Sequence, residues 1–108
     1  VIADEFESNQ AILRKIESVG GGYVWEPEIF AVTMLDIPID ECLAKLVCKL
    51  RGVSQIAINC RNISFSALLE ISNIPGLQVL VVSELHIMEQ EYGTLLASCP
   101  EVVVVGCS

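Results

Sequence analysis

The chain has 108 residues, of which 53% are hydrophobic, with mean hydropathy +0.60; this excludes a disordered chain and suits one ordinary domain with its own core. No stretch approaches the roughly 18 uncharged apolar residues that a membrane span needs. Fourteen acidic against six basic side chains give a formal charge of −8 and a pI near 4.4, which opposes binding to nucleic acid and to anionic lipid.

The first residue is Val1, with no basic, apolar leader behind it, so the chain reads as a processed or excised fragment. A helical pattern covers Asp4 to Val19, with Phe6, Ile12, Leu13 and Ile16 roughly on one face. It stops at Gly20-Gly21-Gly22, where a glycine suits a left-handed C-cap and the others a flexible reversal into Tyr23-Val24-Trp25. A phosphate-cradling loop would need the opposite order, strand then helix.

From Ile29 onward, apolar runs at Ile29-Leu35, Val53-Ile58, Leu77-Val82 and Val102-Val105 alternate with helical stretches, which predicts parallel strands joined by helical crossovers. Val32, Ile56, Leu80 and Val105 are 24, 24 and 25 residues apart, and Met34, Ile58, Val82 and Cys107 repeat those intervals. Ile29, Val53, Leu77 and Val102 form a third column, and Ile39, Ile63 and Ile87 a fourth. A fixed period in this range signals stacked repeats. Leu43-Leu46-Leu50, Leu68-Ile71-Ile74 and Tyr92-Leu95-Cys99 are the strand-facing sides of the helices. Asp40, Ser64 or Ser66, and Glu89 stand where an N-terminal cap is needed, and Pro75-Gly76 and Pro100 stop the helices.

Val53-x-x-Ile56-x-Ile58 and Leu77-x-x-Leu80-x-Val82, with Ile63 and Ile87 following and Cys99-Pro100-Glu101-Val102 as a repeat boundary, resemble the leucine-rich-repeat family in its short-period bacterial form. The pattern departs at the turn position, where the family places Asn, Cys or Thr and this chain has Ile37, Arg61 and Leu85, with Asn62 one residue late. The expected fold is α/β: a short right-handed βα solenoid with parallel strands in sequential order. One domain is expected, with residues 1–28 as an N-terminal helix and cap and 29–108 as three βα repeats plus a terminal strand.

Candidate chemistry is sparse. Cys42, Cys48, Cys60, Cys99 and Cys107 are odd in number and lack a C-x-x-C pair, which argues against disulfides and a zinc site and favours a reducing compartment, the cytoplasm. Cys99 and Cys107 fall in core columns; Cys42 and Cys48 fall on different helix faces; Cys60, at a strand end, is the candidate for an exposed reactive thiol. His86 reads as a surface turn residue, and Asp4, Glu5 and Glu7, like Glu84, Glu89 and Glu91, as solvated faces. No catalytic residue, cofactor or metal site is assigned, and the chain reads as a non-enzyme.

Strand alternation turns Thr33, Leu35, Gln55, Ala57, Asn59, Val79, Val81, Ser83 and Val104 away from the core. The resemblance implies that this sheet surface binds a protein, and its apolar members Leu35, Val79, Val81 and Val104 mark an interface or a surface covered by the N-terminal helix or a missing segment. The last strand, running into Gly106-Cys107-Ser108, has no helix or polar cap to close the stack, so its edge meets further repeats or a partner, a second copy of the chain included. The function expected is a protein-interaction module using the sheet face or that edge. The alternative is a small compact α/β regulatory or ligand-binding domain, which would reorder the strands around a crevice.

Overall fold

A computed structural model describes residues 2–26, 28–84 and 87–105, with residues 2–8 described by their backbone only. The elements are α1 (Ile2–Ser18), β1 (Gly22–Glu26), β2 (Ile29–Pro38), α2 (Glu41–Val47), β3 (Gln55–Asn59), α3 (Phe65–Ser72), β4 (Val79–Ser83), α4 (Glu89–Ser98) and β5 (Glu101–Val105). The chain is an α/β fold with one five-stranded mixed sheet in the order β1-β2-β3-β4-β5.

Gly22, expected in a flexible reversal, instead opens β1, which runs on through Tyr23-Val24-Trp25 to Glu26. Gly20 takes φ +97° and caps α1, and Gly21 closes the turn by donating to the Ile16 carbonyl at 2.9 Å. A Cβ on Gly21 would stand 2.7–2.9 Å from Ile16, Met34 and the Thr33 carbonyl, so only glycine permits this approach. The chain then pairs back antiparallel on β2, Tyr23 opposite Val32 and Trp25 opposite Phe30, with the two rings 4.4 Å apart. An antiparallel edge strand therefore begins a sheet whose other four strands are parallel.

The columns of the first three repeats stand in register: Val32, Ile56 and Leu80 pair across neighbouring strands, as do Met34, Ile58 and Val82. All six are buried, together with Ile12, Leu13 and Ile16 of α1, Leu43 and Val47 of α2, Leu68 and Ile71 of α3 and Leu95 of α4, so one core lies between the sheet and the helices. Ile39 is buried, Ile63 and Ile87 pack against the core, and Cys99 is buried like its column mates Leu50 and Ile74.

The fourth strand departs from its expected column. Leu80 pairs with Val102 and Val82 with Val104, so the last interval is 22 residues rather than 25. Six residues separate α3 from β4, but only Cys99 and Pro100 separate α4 from β5, and the short connection draws the strand forward. Val104, expected outward, thus packs against the core, and Val103 points outward in its place. Cys107 lies outside the described residues, as do Leu85, His86 and the side chains of Asp4, Glu5, Phe6 and Glu7.

Local signals explain most helix starts. Asp40 accepts from the Leu43 amide at 2.8 Å and Ser64 from the Ala67 amide at 3.2 Å, each satisfying a first-turn donor. Ser66 lies inside α3. Helix α4 is capped at Met88 instead of Glu89; Glu91 reaches back to accept from the Met88 amide at 3.0 Å. Buried Asn9 ties α1 to the turn before β3, donating to the Arg51 carbonyl at 2.8 Å and accepting from the Arg51 amide at 2.9 Å. No described helix is long and apolar enough to cross a membrane.

Candidate interaction surface

The helices cover one side of the sheet only. Neighbouring helices touch in chain order, α1 with α2, α2 with α3 and α3 with α4, and Ile16 of α1 reaches the core beside Gly21 and Met34. The N-terminal helix therefore sits on the same side as the others and leaves the opposite face open.

That open face carries Val24 of β1, Ala31 and Thr33 of β2, Gln55 and Ala57 of β3, Val79 and Val81 of β4, and Glu101 and Val103 of β5. Val24 is 47% exposed and Val103 36%, with Ala31, Ala57, Val79 and Val81 half-buried between them. An apolar band thus crosses all five strands, bordered by Thr33, Gln55 and Glu101. Where Gly22 offers no side chain and Ala31 and Ala57 offer small ones, a shallow cavity of about 470 Å³ opens, walled by Val24 and Val81 with Thr33 and Gln55 on its border. Its floor is short because its residues are short, and its walls are apolar; it suits a hydrophobic side chain from outside.

Of the outward residues expected from the sequence, Thr33, Gln55, Ala57, Val79 and Val81 lie together on this face. Leu35, Asn59 and Ser83 do not join it as free contact groups. Strand β2 shifts register between Met34 and Pro38, and the freed Leu35 carbonyl accepts from Asn59 Nδ2 at 3.2 Å and from the Ser83 hydroxyl at 3.3 Å. Asn59 is 4% exposed. It also donates to the Glu84 carboxylate at 2.6 Å and accepts from the Arg61 amide at 3.0 Å. Asn59 is thus a tie between successive strand ends, a job the sequence had appeared to leave vacant at Arg61. Its signal was there: Leu35, Asn59 and Ser83 stand 24 residues apart, and two of them are polar. Glu84 holds φ +51°, a left-handed conformation that side chains disfavour, and its bond to Asn59 secures it there.

A parallel chain of backbone bonds joins the other strand ends. Ser54 donates to the Phe30 carbonyl, Gln78 to that of Ser54 and Glu101 to that of Gln78, at 2.8–3.1 Å. A separate opening of about 810 Å³ lies at the foot of α2, lined by Ile12, Leu50 and Pro75 with Lys49 and Arg51 at its rim.

Cys60 is not exposed. It is buried among core residues, and loss of solvation pushes its thiol up to about 12. Burial, and then the nearby negative charge of Glu70, raises Cys48 as well. Among the described cysteines, Cys42 on α2 is the exposed one. Iodoacetamide at pH 8 is therefore expected to alkylate native Cys42 well before Cys60, which reacts only after unfolding; peptide mass spectrometry reads the order. Unfolding frees Cys60 to ionise near 9 while the folded chain keeps it neutral to about 12. Its contribution is thus intact below pH 9 and falls by about 1.4 kcal/mol per unit above it. A Cys60→Ala chain should lose less stability between pH 9 and 11 than the wild type; equal losses would mean Cys60 ionises in the fold.

Comparison with known proteins finds no family model, curated protein or solved structure that matches the chain.

Proposed function

We propose that the chain is a protein-interaction module of leucine-rich-repeat type, whose open sheet face takes an extended, apolar segment of a partner protein. The observation that carries this reading is the apolar band from Val24 to Val103, which crosses every strand, exposed at its two ends and half-buried between them, and is covered by no described element. The apolar area of such a face is removed from water only when something docks on it. Sequential strand order favours an interaction module over a small ligand-binding α/β domain, whose crevice forms where strand order reverses. Spacings of 24 residues between Phe30 and Ser54, Ser54 and Gln78, and Leu35 and Asn59, each pair joined by a hydrogen bond, favour the repeat reading.

Selection of a displayed random peptide library against the folded chain tests it. Enriched peptides are expected to be apolar and extended, and to lose binding to Ala57→Glu and Val81→Glu chains whose circular dichroism is unchanged. A selection that enriches nothing, or peptides indifferent to both substitutions, would overturn the reading.

A further inference from the structure

All six basic side chains stand on the helices or in openings lined by helix residues. Arg14 and Lys15 belong to α1 and Lys45 to α2. Lys49 and Arg51 line the opening at the foot of α2, and Arg61 the groove where Phe65 and Leu68 of α3 meet Glu91 of α4. No described strand contains a lysine or an arginine. The charges on the open face are instead Glu26 of β1 and Glu101 of β5, both exposed and both at outward positions of their strands. Glu28 in the turn between β1 and β2, Asp36 of β2 and Glu84 beyond β4 add exposed carboxylates around its margin. The open face is thus an apolar band with a carboxylate at either end and no cation of its own to neutralise it.

Val24, Ala31, Gln55, Val79 and Glu101 stand side by side in one row across the sheet, and Glu26 lies two residues along β1 from Val24. With neighbouring strands about 4.8 Å apart and a rise of about 3.4 Å per residue, Glu26 and Glu101 are about 20 Å apart, the reach of roughly six residues of extended chain. The cavity over Gly22, Ala31 and Ala57 opens between them. A segment that fills this cavity with an apolar side chain and covers the row from β1 to β5 brings its two ends beside the two carboxylates. Acidic ends are repelled there, and lysine or arginine ends form charge-assisted hydrogen bonds.

Two other occupants suit the face less well. A second copy carries a charge of −8 and brings its own Glu26 and Glu101 to a face that is already acidic. Further repeats in the same pattern would lengthen the sheet at an edge and lay their helices beside α1 to α4, leaving this face open.

Resting on the interaction reading above, we infer that the segment docked on this face comes from a partner protein and is cationic: an extended run of about six residues, with an apolar anchor in the cavity and a lysine or arginine at each end, paired with Glu26 and Glu101.

Two displayed peptide libraries test it, alike in a random apolar centre of about six residues and differing in their flanks, lysine in one and glutamate in the other. Against the folded chain, lysine-flanked peptides are expected to be enriched about tenfold or more over glutamate-flanked ones, and to bind less tightly as salt is raised. In a chain carrying both Glu26→Lys and Glu101→Lys, with circular dichroism unchanged, the preference should reverse toward glutamate flanks. Glu26→Gln with Glu101→Gln serves if the lysine chain does not fold, and should abolish the preference. Equal enrichment from the two libraries, in peptides that still lose binding to Val81→Glu, would overturn the charge assignment and leave the interaction reading standing. A lysine preference untouched by the substitutions at Glu26 and Glu101 would overturn it as well. A selection that enriches nothing from either library would overturn both.

Discussion

Replacing Asn59 by alanine is expected to cost about 2–4 kcal/mol, because one buried side chain serves three partners, of which the exposed Glu84 carboxylate can turn to water while the Leu35 carbonyl keeps only its bond from Ser83. The substitution removes the donor to the Leu35 carbonyl and to the Glu84 carboxylate, and it strips the Arg61 amide of its acceptor. Ser83 still donates to Leu35, at a longer 3.3 Å, so Ser83→Ala alone should cost about 1 kcal/mol. Glu84, held at φ +51°, loses the bond that secures it, and the end of β2 loses its anchor to the next strand. Against a total stability of about 5–15 kcal/mol, this lowers the melting temperature by roughly ten degrees or more. Urea and thermal unfolding of the two variants measure it. A loss below about 1 kcal/mol for Asn59→Ala would show that water reaches these groups and that the strand ends are not tied by this residue.

Leu80→Ala should cost about 2–5 kcal/mol, whereas Val81→Ala, its neighbour in the same strand, should cost under about 1. Leu80 has no exposed surface and packs between Ile56 and Val102 under the helices, so truncation leaves a cavity that a five-stranded sheet cannot collapse around. Val81 points to the open face and is already partly in water. Chemical denaturation of both variants, at equal slope, gives the two numbers. Comparable losses would mean that the open face is buried in the native chain, and the peptide-binding reading would fall with it.

Much of this architecture was legible from periodicity alone. Burial of Ile56, Ile58, Leu80 and Val82 follows from alternation within short strands, and the sequential order of the strands from a repeat too short to cross the sheet twice. The caps at Asp40, Ser64 and Gly20 follow from residue chemistry that acts over three or four positions. So does Cys99 as a core residue, since it shares a column with Leu50 and Ile74.

The errors lie where distant groups decide. Four successive valines in β5 carry no alternation, so either parity satisfies the local pattern. The two-residue connection from α4 and the bond from the Glu101 amide to the Gln78 carbonyl choose between them, which moves Val104 inward and Val103 outward. Tyr23-Val24-Trp25 is too short to declare itself a strand; its pairing with Phe30 to Val32 makes it one. Asn59 looks like one more outward side chain until the bulge in β2 brings the Leu35 carbonyl to it, and Cys60 looks exposed until the helices close over it. The sequence by itself determined the 24-residue spacing of the first three parallel strands, their core columns and most helix ends, because these rest on spacing and on contacts within a turn. Only the tertiary structure decided the register of β5, the antiparallel edge and which polar groups are tied up, because each depends on pairing between separate elements, with partners as many as 48 residues away in the chain.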